Sequence, residues 1–563
     1  MNQISGAEAL VQMLKLHGVD TVFGLCGDTT LPFYDALYRT GEGVRHILTR
    51  DERHAAYMAD GYARVSGKVG VCEGPSGGGA TYILPGVVEA NESSIPILAI
   101  TTDISVTGRG KYTLTELDQN ALYRPLTKWN QVIDTAASLP SLVRTAFAEM
   151  TTGKPGAAHL GLPFDVQRQP VDADDIWAQA DLGRFPARRT GPDPEAVEAA
   201  AEVLLSASKP VFICGGGVVI AGAEAELTSL AELLDAPVAT TVSGQGAISD
   251  RHPLAVGVVG SNGGVPETRA IVEEADLVMF VTCRAGSVTT ERWRHPAPGK
   301  AKIVQIDVDP RVIGANYQPD AAILGDALPV LAALVDAVAK RQGDRGVSDA
   351  AARVAAARKA KFDAFNALAR AEARPIKPER IVAAMQEVLP SNAVVVCDPG
   401  TPCPYFSAFY DQVETGRHFI SNRAHGALGF AMSAAVGAHF GRPDAPTVAV
   451  MGDGSFGMCV GELETVVRLN LPVTLVVVSN SVFGWIKAGQ KSGYEERYYS
   501  VDFSQSDHAR IAEAYGVKTW RVEDPADLAG ALRAATDTAG PSLVDIVSQP
   551  LQEARAPVSE WVA

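Results

Sequence analysis

The chain has 563 residues, 47% of them hydrophobic and 20% charged, with a formal net charge of −16. That composition is ordinary for a globular protein, and the length accommodates roughly three to four domains or fewer large ones. The acidic balance argues against a nucleic-acid-binding surface, where a basic face is expected, although it leaves room for a local basic pocket for an anionic ligand.

Seven cysteines are scattered at 26, 72, 214, 283, 397, 403 and 459, with no CxxC pair and no zinc spacing. The pattern implies reduced thiols and a cytoplasmic protein. The start, MNQISGAEAL, has neither a basic n-region nor an apolar h-region, which argues against a signal peptide. Apolar runs such as Val476-Val477-Val478 are of strand length, far short of the ~20 residues that span a bilayer. Neither a nucleic acid nor a membrane is therefore expected as a partner.

Short β-rich runs alternate with helical patterns along the chain, which predicts an α/β fold of three doubly wound parallel-sheet domains. The first covers 1–183, with strands TVFGL, VRHILT, VGVCEG and IPILAIT and helices EALVQMLKLHG and HAAYMADGYARVSG. A linker, RFPARRTGPDPE, follows at 184–195. The second domain covers 196–342, with PVFICGGG, PVATT, LVMFVTCR and KIVQIDVDP as strands, and resembles a Rossmann-like unit. An alanine-rich helix is predicted over 349–372. The third domain covers 376–548, with strands AVVVCD, TVAVMGDG, PVTLVVVSN and PSLVDIVS, and the first and third share a similar layout. A tail, 549–563, closes the chain.

The chemistry concentrates in the third domain. TVAVM stops at Gly452-Asp453-Gly454, GELETVVRLN reads as helical, and PVTLVVVS stops at Asn480. Parallel strands joined by a crossover can lie side by side. Asp453 and Asn480 would then share the sheet edge where α/β proteins bind ligands. A carboxylate oxygen plus an amide oxygen is a hard-cation donor set, and Mg²⁺ held by so few protein groups has phosphate oxygens completing its shell. The flanking glycines would let a diphosphate approach the backbone. The bland alternative is a tight turn and a strand-end asparagine.

Gly452-Asp453-Gly454, followed after 25 residues by Asn480, resembles the diphosphate-and-metal motif of thiamine diphosphate enzymes. The resemblance implies Mg²⁺ bound by Asp453, Asn480 and the Val482 carbonyl. It also places Gly452, Gly454, Ser455 and Gly484 at the cofactor. VRHILTRDERHAAYMADGYAR at 44–64 is similar to the strand-then-glutamate pattern of the acetolactate synthase family, with Glu52 in the position of the glutamate that faces the aminopyrimidine N1′. Without that match, Glu52 would be a helix-start carboxylate favoured by the dipole. GPSGGGATYILPGVVEA (74–90) resembles the family's glycine-rich loop. GALGFAMSAAVGA (426–438) resembles the segment that bends the cofactor, with Leu428 as prop and the Gly426 carbonyl as acceptor of the 4′-amino group. An apolar residue there is also ordinary core. In the family the two halves of the site meet across subunits, so the resemblance implies a homodimer or homotetramer with active sites at the interface.

The loops point to a subclass. His425 is a lone histidine, and the paired-histidine signature of pyruvate-decarboxylase-like enzymes is not evident. In YTLTELDQNALYRPLTKW (112–129), Thr115 stands where acetolactate synthases place a glutamine, and ELDQN looks more like oxalyl-CoA decarboxylase and benzaldehyde lyase. NSVFGWIKAGQKSGYEERYYSVDF (480–503) supplies candidate substrate contacts at Trp485, Ile486, Tyr494 and the Glu495/Glu496 pair. Glu495 is the preferred general base if desolvation raises its pKa, against a solvated surface pair. The tail carries Arg555 for an anionic group and Trp561 as anchor. It is read either as a lid or as an arm packed on a neighbouring subunit. Relatives carry FAD, ADP or nothing in the central domain, where Arg284 is a candidate phosphate contact and GGGVVIAG (215–222) a weak fingerprint.

The favoured expectation is a 2-hydroxyacyl-CoA lyase, giving formyl-CoA plus a ketone or aldehyde, or a related acyl-CoA decarboxylase. The alternative is an acetolactate synthase-like carboligase acting on pyruvate or another 2-oxoacid. A nicotinamide dehydrogenase, or a silent family member serving as a binding subunit, stands outside both.

Overall fold

A computed structural model describes residues 3–341 and 348–561. The expected boundary at 342 and the last two residues of the tail lie outside the described residues. The chain divides into two compact units.

The first unit contains the chain through Arg188, joined by 422–445 and 459–471. Its core is a six-stranded parallel sheet. Across the sheet the strands run Arg45–Leu48, Thr21–Gly24, Gly70–Gly74, Ile97–Asp103, Ala158–Pro163, Trp129–Val132. The central strands Gly70–Gly74 and Ile97–Asp103 are buried along their whole length, as expected for a parallel sheet covered on both faces.

Helix Glu52–Ser66 carries an N-cap, Asp51, whose side chain accepts from the Arg53 N–H, and ends at Gly67 in the left-handed region (φ 67°). It packs along helix Ala431–Gly441. His54, Met58 and Tyr62 meet Ser433, Gly437 and Gly441 in turn, so the helices run parallel and begin at the same end. Small residues permit the approach: a Cβ at Gly61 would lie 2.1 Å from the Ala434 carbonyl oxygen, and one at Gly437 would lie 1.8 Å from that of Met58. Backbone cannot yield as a side chain can. A Gly437→Val variant is expected to lose about 3 kcal/mol of stability, read as a lower urea midpoint at unchanged slope.

The second unit holds two further six-stranded parallel sheets. The central one runs Ala255–Val258, Val238–Thr240, Pro210–Cys214, Leu277–Val281, Lys302–Asp307, Ala321–Leu324. In chain order that is 3-2-1-4-5-6, the Rossmann arrangement. The third runs Phe419–Ser421, Val394–Cys397, Thr447–Gly452, Val473–Ser479, Ser542–Val547, Lys518–Val522. Numbered within its own sheet, it reads 2-1-3-4-6-5, and so does the sheet of the first unit. The α/β fold of three doubly wound parallel sheets is as expected, including the likeness of the first and third.

The strands legible in sequence are mostly interior. Trp129–Val132, Ala255–Val258, Ala321–Leu324, Phe419–Ser421 and Lys518–Val522, all at sheet edges, were not among them, nor was the interior strand Ala158–Pro163. The edge strands are short, which weakens their apolar signal. The alanine-rich helix is found as Ala350–Ala369. The helix expected over GELETVVRLN is a 3-10 turn, Val460–Glu462, followed by Leu463–Arg468. No disulfide joins the seven cysteines, and no helix among the described residues is long and apolar enough to cross a membrane.

Candidate active site

In the third sheet, strands Thr447–Gly452 and Val473–Ser479 are hydrogen-bonded neighbours, with Gly452 opposite Val478. Asp453 therefore follows one strand where Asn480 follows the other. Gly-Asp-Gly is not the tight turn of the bland alternative but leads into a helix, Asp453–Cys459. The Asp453 carboxylate makes this possible by accepting the Gly454 N–H through Oδ1 at 2.9 Å, a donor that a helix start leaves free. Its Oδ2 accepts the Asn480 and Ser481 N–H groups at 2.7 and 2.6 Å. The predicted pair is thus joined directly through the backbone.

These residues fit a divalent cation and a diphosphate. Asp453 is buried, and its Oδ1, which accepts a single N–H, keeps a lone pair beyond the bonds just described. Burial pushes its carboxyl up, against the three backbone N–H groups that pull it down; a bound cation would oppose the burial effect. Asn480 Oδ1 is buried with no hydrogen-bond partner among the described residues. An orphaned amide oxygen costs about 1–3 kcal/mol, and a hard cation would satisfy it. Val482, two residues on, is also buried. A Cβ at Gly452 would meet nothing within 4 Å, so this glycine faces open space. Gly454 is fixed by its own chain, because a Cβ there would lie 2.7 Å from the Phe483 ring. Ser455 is buried in the helix that Asp453 begins.

Gly484 starts helix Gly484–Gly493, where a Cβ would come 3.1 Å from Leu551 and 3.2 Å from Thr401 Oγ1. Trp485 packs edge-on against Trp561, with ring centroids 5.2 Å apart, and its Nε1 donates to the Trp561 carbonyl at 3.2 Å. Gly263 N–H donates to the Pro557 carbonyl, Ser559 Oγ donates to Glu291, and Glu560 pairs with Arg292 and Arg294. The tail is therefore tied to its own chain. Ile486, Tyr494 and Arg555 are exposed. Glu495 is 85% exposed and pairs with Arg497 at 2.7 Å. The desolvation that its role as base requires is not found in the chain, because this segment extends into solvent.

In the central sheet, Arg284 is exposed. The glycines of the weak fingerprint have a packing reason: a Cβ at Gly215 would lie 2.0 Å from the Thr282 carbonyl oxygen, and one at Gly217 would lie 2.6 Å from Thr282 Cβ.

In the first unit, Glu52 opens its helix at 6% exposure. Burial pushes its carboxyl up, with Asp51 and Glu73 adding to the effect. The glycine-rich loop lies against it, since Cβ atoms at Gly74 and Gly79 would come 3.3 Å from its Cγ and 3.0 Å from its Oε1. Thr115 is exposed in the left-handed region (φ 69°), with its hydroxyl 2.7 Å from Ser76 Oγ. Gly426 is also left-handed (φ 75°) with open space beside it, and Leu428 is half-buried.

Sequence reasoning missed Glu89, which holds this last segment. It is fully buried and accepts the backbone N–H groups of His425 (2.7 Å), Gly426 (3.3 Å) and Ala424 (3.4 Å). Arg64 and Ser93 also donate to it. Glu89 and the loop residues it holds are more than 330 positions apart, so no local pattern announces them. His425 thus serves the loop through its backbone.

Three family descriptions match the chain. They are thiamine pyrophosphate enzyme, N-terminal TPP binding domain, at 4–122; central domain, at 197–334; and C-terminal TPP binding domain, at 398–546. The probable acetolactate synthase large subunit of Methanococcus aeolicus is 35% identical over 97% of this chain and 92% of its own. The acetolactate synthase large subunit of Parasynechococcus marenigrum is 33% identical over 96% and 87%. The probable 2-ketoarginine decarboxylase of Pseudomonas aeruginosa is 35% identical over 96% and 94%. The chain belongs to the thiamine diphosphate enzymes of the acetolactate synthase-like superfamily. It is a thiamine diphosphate-dependent enzyme that forms or cleaves carbon–carbon bonds. The relatives correct the expected branch, since these are named for acetolactate synthesis and 2-oxoacid decarboxylation rather than for acyl-CoA chemistry.

Proposed function

We propose that the protein is a thiamine diphosphate- and Mg²⁺-dependent carboligase that takes pyruvate or another 2-oxoacid, loses its carboxylate as CO₂, and joins the remaining acyl unit to a second carbonyl compound. The observation that carries the metal–diphosphate half is the Asp453–Asn480 pair with its orphaned Asn480 Oδ1. The 2-oxoacid half rests on the relatives, from which it is carried over. The names of the relatives, none of which refers to acyl-CoA chemistry, favour this reading over the acyl-CoA lyase.

Bound thiamine diphosphate supplies a stabilised carbanion, the part of the reaction that side chains cannot provide. Asp453, Asn480 and the Val482 carbonyl would hold the metal. Gly452 would leave the backbone open to the diphosphate. Glu52, buried with its proton affinity raised, would hold a proton beside the aminopyrimidine. Gly426 and Leu428 would support the ring from the segment that Glu89 fixes. The two halves are proposed to meet across a homodimer or homotetramer interface, and the central domain is left to ADP, FAD or neither.

The test is a panel of pyruvate, 2-oxobutyrate, 2-ketoarginine and a 2-hydroxyacyl-CoA, each with thiamine diphosphate and Mg²⁺. Release of CO₂ and appearance of an acetohydroxyacid are measured. Carboligation from a 2-oxoacid is expected, with loss of activity after dialysis against EDTA and recovery with Mg²⁺. CO₂ release without carboligation would reduce the protein to a decarboxylase. Turnover of the acyl-CoA alone would overturn the 2-oxoacid reading.

A further inference from the structure

Glu73 is the last residue but one of strand Gly70–Gly74 and is fully buried. It lies opposite Gly24 of the adjoining strand. These two strands are the first and third of their sheet, so the pair marks the point where strand order reverses, the place where open α/β sheets bind ligands. The neighbouring strand makes room for the carboxyl: a Cβ at Gly24 would lie 2.0 Å from Glu73 Oε1.

Two donors converge on that one oxygen. The Tyr34 hydroxyl donates to Glu73 Oε1 at 2.5 Å. His46 Nε2 lies 3.2 Å from the same oxygen and 3.0 Å from the Tyr34 hydroxyl. Since the single Tyr34 proton goes to Glu73, a proton on His46 Nε2 faces both oxygens. Glu73 Oε2 is buried and has no partner among the described residues. The residue that follows, Gly74, faces Glu52, at 3.3 Å from its Cγ to a Cβ built there.

Two buried carboxyls thus occupy one end of the same sheet with different surroundings. Glu73 has an O–H and a ring nitrogen aimed at it, which favour its charged form. The Glu52 side chain receives no comparable pair among the described residues. Neighbouring carboxyls whose surroundings differ in this way divide the roles of base and acid.

We infer that Glu73, held by Tyr34 and His46, is a positioning residue whose buried negative charge keeps a proton on Glu52. The inference rests on the reading of Glu52 given above, but it concerns the protein's own groups before any cofactor binds. The direction agrees with the raised proton affinity of Glu52, to which burial contributes most, then Asp51, then Glu73. Glu73 is itself raised, because burial outweighs His46 and Tyr34, which pull it down; the two buried carboxyls therefore compete for a proton, and the donors aimed at Glu73 direct it to Glu52. Other titratable groups that act on this cluster include Cys72, pushed far up by burial, and Cys26, which is exposed. Asp51 adjoins Glu52 and is the same in every variant below, so it does not affect the comparison.

The experiment is a titration of the full-length protein without cofactor, with ¹³C at the glutamate side-chain carboxyls, followed by NMR. The Glu52 signal is assigned by its loss in Glu52→Gln. In Glu73→Gln, which keeps the shape and removes the charge, Glu52 is expected to titrate roughly one pH unit lower. Glu73→Asp, which keeps the charge, restores most of the wild-type value. Tyr34→Phe removes a donor from Glu73, and it shifts Glu52 in the same direction as Glu73→Gln. It also serves if Glu73→Gln does not fold. An unmoved Glu52 titration in a folded Glu73→Gln or Tyr34→Phe protein would overturn the inference. Inactivity towards every 2-oxoacid would instead sink the proposed function and leave this readout standing.

Discussion

A Glu52→Gln variant is expected to lose about 10²- to 10⁴-fold in turnover, the range that a positioned acid–base group supplies. The loss should appear in kcat, with cofactor affinity within a few fold of wild type, because the amide fills the same space between Gly74 and Gly79. Stability should move the other way. The folded-state pKa of Glu52 is raised, so folding favours its protonated form. Its contribution is then complete below the unfolded-state pKa and is lost as pH rises through the folded-state value. Glutamine does not titrate, so the variant should be at least as stable as the wild type at neutral pH, with the gap largest on the alkaline side. Equilibrium unfolding at pH 5 and pH 8 reads this directly. A fully active Glu52→Gln enzyme would remove the proposed mechanism.

The second large effect is at Asp453. Its carboxylate satisfies three backbone N–H groups and is the only anionic donor of the proposed metal set. Asp453→Ala is expected to abolish Mg²⁺-dependent retention of thiamine diphosphate, with affinity falling at least 100-fold by calorimetry. It also strands the Asn480, Ser481 and Gly454 N–H groups, at about 1–3 kcal/mol for each donor left buried and unpaired. Asp453→Asn separates the two effects. Its single amide oxygen retains part of the backbone bonding but lacks the negative charge. It should recover much of the stability and little of the metal affinity. Asn480→Ala removes an orphaned acceptor rather than a satisfied one, so its stability cost in the absence of Mg²⁺ should be small while its cost in metal binding is not.

What could be read from the chain alone depended on whether the chemistry was local. Asp453 and Asn480 belong to one strand–helix–strand passage. Adjacent parallel strands place both ends together almost regardless of the rest of the fold. Glu52 was legible through the resemblance of its strand-then-glutamate pattern, and the strand and the helix that follows it fix its position. Continuous apolar runs likewise identified the interior strands of the second and third sheets and most of those in the first, where burial on both faces leaves no polar alternation to confuse the pattern.

The loops were less reliable. ELDQN and the tail suggested an acyl-CoA branch, yet the relatives carry other names. Loop residues have few packing constraints to tie their chemistry to a pattern. Sequence by itself determined the α/β class and the adjacency of Asp453 and Asn480, since both follow from short-range geometry, while Glu52 was singled out by the resemblance. Only the tertiary structure decided which groups stand behind them. Glu89 reaches the Gly426 loop across some 337 residues, and Tyr34, His46 and Glu73 come from a helix and two strands that only the folded sheet brings onto one carboxylate oxygen. Buried polar groups find partners in space rather than along the chain, so their pairing is written in the packing.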